Sequence, residues 1–246
     1  MNAPLLTLDL QFRRQVDKLI PVEQQMSELF LLARHVSSWS PLLSRWFLTS
    51  SKSKEEALLY EAFDSNGPTA AALAVLREKS RGVEDVRSVS VWNGQEASAD
   101  GASMSSTTSV LGRPDRIDFR LTVNPVVGDW RQGAALLQHA SGIWPAAFAT
   151  FSPFYYPESA VFKDRPGVGW MLYLPRVLTA QQVPEARALV PVMGKSATGK
   201  DEQRGTIIVS VTDEPFPDEN PEHVRNANAI EIRLVDQDLL PRYADL

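Results

Sequence analysis

The chain has 246 residues, 43% hydrophobic and 22% charged, a balance that belongs to a soluble globular protein and not to a disordered one. It has no cysteine, which excludes a disulfide framework, a cysteine-ligated zinc site and a thiol nucleophile, and agrees with a cytoplasmic location. The net charge of −5 is uneven: the stretch 212–246 holds nine acids against three arginines, a composition that repels phosphate and attracts a basic partner.

The opening residues, MNAPLLTLDLQFRRQ, lack a basic region ahead of their apolar positions and do not read as a secretory signal. No apolar run approaches the ~18 residues of a membrane span, so no membrane association is expected. In LTLDLQF, Leu6, Leu8, Leu10 and Phe12 share one face, the pattern of a half-buried strand. Pro21 opens a predicted helix through Arg34 that places Met26, Phe30 and Ala33 on one side. RWFLTS predicts a short strand, and the turn signal SNGP separates two predicted helices, Lys54 to Phe63 and Thr69 to Lys79. Strands are predicted at VRSVSVW, ASMSSTTSVL and DRIDFRLTV. In the last of these Ile117, Phe119, Leu121 and Val123 alternate with polar residues, as in an antiparallel sheet with one wet face. Asp129 caps a predicted helix from Trp130 to His139. The aromatic, proline-rich stretch 146–165 gives no assignment. VPEARALVPV is expected to be a short helix or turn, GKSATGKDEQRG a loop, and GTIIVSVTD a buried strand. The whole predicts one α+β domain over 1–246, with a largely antiparallel, twisted sheet and helices packed against it.

Each motif with a chemical connotation has a plainer reading. GVGWMLYLP has two glycines in the spacing of a dinucleotide loop. The third glycine is missing, because Leu172 stands there, and Pro175 stops any following helix. The glycines then serve a tight backbone passage into a strand. MGKS lacks the first glycine of a phosphate loop, Leu189 occupying its place. PDRIDFR has Asp115 and Asp118 in a metal-nuclease-like order, but Arg120 replaces the expected lysine and cannot accept a proton. This pair defines the alternative reading, a cryptic metal-dependent hydrolase of α+β fold. His35, His139 and His223 have no ligand spacing. No catalytic residue, metal ligand or cofactor is assigned.

NPEHVRNANAIEIRLVDQDLLPRY begins with a cap, a first-position proline and an early acid, which predict a helix. Val224, Ala227, Ile230, Leu234 and Val235 gather in one arc of it, and Glu231 and Asp238 fall inside that apolar arc. Those two carboxylates are expected either at a rim, at a partner interface or in a buried salt bridge. The run DRPGVGWMLYLP, VPEA, GTIIVSVTDEPF and NPEHVRNANAIEIRLVDQDLLP resembles the Immunity protein 52 family, most strongly over 164–241. That resemblance implies a bacterial immunity protein of a polymorphic toxin system, in some cases linked to type VI secretion. Such a protein neutralises a cognate toxin, here expected to be a restriction-endonuclease-like nuclease, by stoichiometric binding. It implies no enzyme activity and no direct contact with nucleic acid. Asp213, Glu214, Asp218, Glu219, Glu231 and Asp238 are the expected partner-binding carboxylates.

Overall fold

A computed structural model describes residues 5–95, 100–122, 128–196, 198–214, 216 and 220–246. Among them are nine β-strands and five α-helices, and every strand pairing described within a unit is antiparallel, so the fold class is α+β. The chain divides into two compact units. The first runs from Arg13 onward through 122, and the second combines 5–12 with 128–246.

In the first unit α1 (Val22–Val36) precedes β2 (Phe47–Leu48), the single-turn helix α2 (Lys54–Ala57), α3 (Ala70–Lys79), β3 (Val86–Trp92), β4 (Ala102–Ser109) and β5 (Asp115–Leu121). Its strands lie in the order β2-β3-β4-β5. Val89 and Val91, Met104, and Ile117 and Phe119 are buried on one face. Ser88, Ser90, Ser103, Ser105 and Asp118 alternate onto the other face. α1 buries Val22, Gln25, Met26, Leu29, Leu32, Ala33 and Val36, the helical i, i+3, i+4 spacing of a core-facing stripe. Gln25 is the polar exception. Its amide donates to Ser106 O (2.7 Å) and Ser106 Oγ (3.1 Å) and accepts from Arg87 Nε (2.9 Å), so its burial is compensated.

The helix expected at Lys54 to Phe63 ends after Ala57. The residues beyond pair with the chain at 46–48 instead: Leu48 N–H donates to Tyr60 O (3.0 Å) and Ala62 N–H to Trp46 O (2.7 Å). Those non-local bonds satisfy the backbone and bury Ala62 and Phe63, which overrides local helix propensity.

The second unit holds β1 (Leu6–Phe12), α4 (Trp130–Ile143), β6 (Ala146–Pro153), β7 (Met171–Leu174), β8 (Ala188–Lys195), β9 (Asp201–Val209) and α5 (Pro221–Asp236). Its strand order is β1-β6-β7-β9-β8. The unassigned stretch therefore supplies β6, which pairs along the whole of β1 from Leu6↔Pro153 to Phe12↔Ala146. β7 is buried at every position, and Ile207, Ile208 and Val209 of β9 are fully buried, as strands covered on both faces must be. α4 turns Gly133, Ala134, Leu136, Leu137 and Ala140 inward.

The expectations for 183–205 hold only in part. Pro184 and Glu185 lie in the expected turn, but ALVPVMGK is a strand, and most of the expected loop belongs to β8 and β9. The ladder Ala188↔Val209 to Lys195↔Asp201 holds them, with an irregularity between Val192 and Met193. β8 is the edge strand, and Pro191 within it removes one N–H from the ladder positions.

Candidate functional site

The glycine pair at 167 and 169 finds its explanation in a carboxylate. Glu231, on the inner side of α5, is 1% exposed. Its Oε1 accepts from Tyr156 Oη (2.7 Å) and Val168 N–H (2.9 Å), and its Oε2 accepts from Val161 N–H (2.8 Å). Asn228 Oδ1 lies 3.1 Å from the same tyrosine hydroxyl. Burial, then the negative charge of Glu231 and their hydrogen bond, hold the Tyr156 phenol well above its ordinary pKa, so it remains a donor. A Cβ at Gly167 would stand 2.9 Å from Tyr156 Cε1 and 3.3 Å from Glu231 Oε1. Gly169 has φ +52°, and a Cβ there would stand 2.4 Å from Ser152 Cβ. The two glycines thus let the backbone close on the carboxylate and turn into β7.

This cluster fastens the segment 156–168 to α5. Its carboxylate is filled by donors from its own chain and sealed from solvent, so it has neither access for a substrate nor a face for a partner. The expectation that Glu231 contacts a partner is corrected accordingly. The buried salt bridge is also replaced, because the groups around it are a phenol and two backbone amides.

Asp238 is exposed, and its backbone does the work. Its φ is +53°. Asp238 N–H donates to Val235 O (3.0 Å) and Leu239 N–H to Leu234 O (2.8 Å), the paired bonds of a Schellman motif that ends α5. Asp213 and Glu214 are exposed as expected. Glu214 Oε1 lies 3.1 Å from His223 Nε2 and so leans over the first turn of α5, where Glu222 is also exposed. The positive end of the helix favours carboxylates at that place. Asp218 and Glu219 lie outside the described residues. The structure therefore brings Asp213 and Glu214 to one acidic approach to α5 and adds Glu222, the early acid of the helix start two residues after the cap, which was not among the expected contact residues.

The alternative pair, Asp115 and Asp118, is separated by the pleat of β5. Asp115 is buried and accepts from Ser109 N–H (2.9 Å) and Arg14 (3.3 Å), and Arg14 also holds Glu28. Burial pushes its pKa up against the opposing pull of the Ser109 bond and Arg14. Asp118 points the other way, between Arg116 (3.5 Å) and Arg120 (2.8 Å), in a polar trough of about 400 Å³ lined in part by Ser90, Ser103 and Ser105. Two carboxylates on opposite faces of one strand cannot share an ion, so this pair does not form the hydrolase site. Among the described residues no helix is long and apolar enough to cross a membrane.

No protein-family model matches the chain, and no curated protein matches it. Among solved structures it is similar to Pseudomonas aeruginosa T6SS protein PA0821, with 13% identity and a TM-score of 0.43, over 99% of this chain and 88% of that one. A likeness at that level fixes neither function nor partner. The resemblance of 164–241 to the Immunity protein 52 family rests on the quoted residues alone.

Proposed function

We propose that the protein is a cytoplasmic immunity protein that neutralises a cognate antibacterial toxin, a nuclease effector, by stoichiometric binding and without catalysis. The observation that carries this reading is the acidic approach to α5, where Asp213, Glu214 and Glu222 are exposed beside the segment that resembles the immunity family. A nuclease needs a basic cleft for phosphate, and carboxylates presented on a fixed helix end are attracted to such a cleft. The rest of the family-like segment supports the reading in a different way: through Glu231 it fastens the later turns of that helix to the segment 156–168.

The test is co-expression with the toxin domain encoded by the neighbouring reading frame. Cells that carry both should survive and yield a complex that stays together on purification. Death of the doubly expressing cells, with both proteins present and soluble, would contradict the proposal.

A further inference from the structure

In the second unit a cleft of about 690 Å³ is lined by the last turn of α4 on one side and by the tip of the β8–β9 hairpin on the other. Tyr173 of β7 forms part of its wall. That residue is 5% exposed, and its hydroxyl has no hydrogen-bond partner among the described residues. Burial raises its pKa, so the phenol is a protonated donor at neutral pH. A Cβ at Gly205 would stand 2.5 Å from the Tyr173 ring, and a Cβ at Gly194 would stand 2.6 Å from Arg204 Cγ. Two glycines of the hairpin therefore give the phenol and the guanidinium their places.

The cleft has two polarities. Ser141, Gly142 and Ile143 close α4, whose final carbonyls form the negative end of the helix and call for donors. Lys195 and Arg204 line the hairpin side. Each has an acidic neighbour, Lys195–Asp201 at 2.6 Å and Arg204–Glu202 at 3.2 Å, and Arg204 also donates to Lys195 O. All four side chains are about half exposed or more, and exposed pairs of this kind are weak and readily exchanged for a better acceptor. Met193 adds an apolar side chain that is 50% exposed.

We propose that this cleft binds the free C-terminus of a polypeptide. The terminal carboxylate accepts from Tyr173 and from Arg204 or Lys195, the last side chain rests on Met193 and Ile143, and the preceding amide N–H groups face the carbonyls of α4. A simple carboxylic acid supplies the anion but not the donors, which is why the peptide is the better match. This inference stands apart from the toxin reading.

The probes are acetyl-Ala-Ala-Xaa tripeptides with Xaa as Leu, Val, Met or Phe, each as free acid and as C-terminal amide, with isovalerate as the simple acid. Binding is followed by amide chemical shifts in the full-length protein. The free acids should move residues of the α4 end and the hairpin, and the amides should bind about tenfold more weakly or worse, the effect of losing a charged hydrogen-bond acceptor. Y173F should weaken the acids by a similar factor while leaving the thermal midpoint unchanged, because the hydroxyl makes no bond to any of the described residues, and R204Q serves as an independent variant. Equal binding of acid and amide, isovalerate matching the peptides, or no shift at the cleft with any probe would each overturn the proposal.

Discussion

A carboxylate on a helix is satisfied either by water or by donors folded around it, and Glu231 takes the second course. Replacing it with glutamine keeps the shape but turns an acceptor into an NH2 group facing a donor. E231Q should therefore cost about 2–3 kcal/mol, lowering the thermal midpoint by roughly 4–12 °C. Y156F removes one of the three bonds and should cost about 1 kcal/mol; chemical denaturation checks both. At Asp238 the sign reverses. An L-residue in the left-handed region is strained by about 1–2 kcal/mol, so D238G should stabilise the protein by ~1 kcal/mol, less a share for the more flexible unfolded chain. Asp115 gives a pH-dependent case. Its folded pKa lies above the unfolded value, so the stability linked to it is fully present below the ordinary aspartate pKa and is lost as pH rises through the raised one. Wild type should accordingly gain on D115N when urea unfolding is moved from neutral pH to about pH 3.5. Wild type losing ground to D115N on acidification would reverse that assignment.

At the scale of elements, what was legible is what local chemistry decides. Asn220 caps α5 by accepting from Glu222 N–H (3.0 Å), and Thr69 caps α3 from Ala72 N–H (3.1 Å), so both helix starts follow from a few adjacent residues. N220A should cost about 1 kcal/mol and would loosen the helix on which the proposed contact surface depends. β1, β3, β4 and β5 were legible because one face is buried and the other polar, which writes a period of two into the sequence. β8 was not, because it is held by its ladder to β9 and has an edge strand's mixed burial. β6, rich in alanine and aromatics, is buried on both faces through most of its length and so lacks that alternation. The candidate site divides the same way. The place of Glu231 in the apolar arc was visible in the sequence, whereas its donors come from 63 to 75 residues away and are supplied partly by backbone, which no residue type announces. The glycines at 167 and 169 were legible as a close passage, but not as the frame of a carboxylate.

For the whole molecule the unequal distribution of charge is the feature that bears on function. The exposed acids before and within the first turn of α5 belong to a stretch more acidic than the rest of the chain. If they steer a basic partner, D213K/E214K should slow association by roughly three- to tenfold and flatten its dependence on salt, with a smaller effect on dissociation. Stopped-flow binding at two ionic strengths measures this. The central claim is that the protein acts by docking and is not consumed or renewed in a catalytic cycle. Titrating it into a fixed amount of the toxin domain from the neighbouring reading frame, while nuclease activity is followed, tests that claim most directly. The account predicts a linear fall that reaches zero at one equivalent and stays there. Loss of activity with far less than one equivalent, deepening with time, or full activity at several equivalents would contradict it.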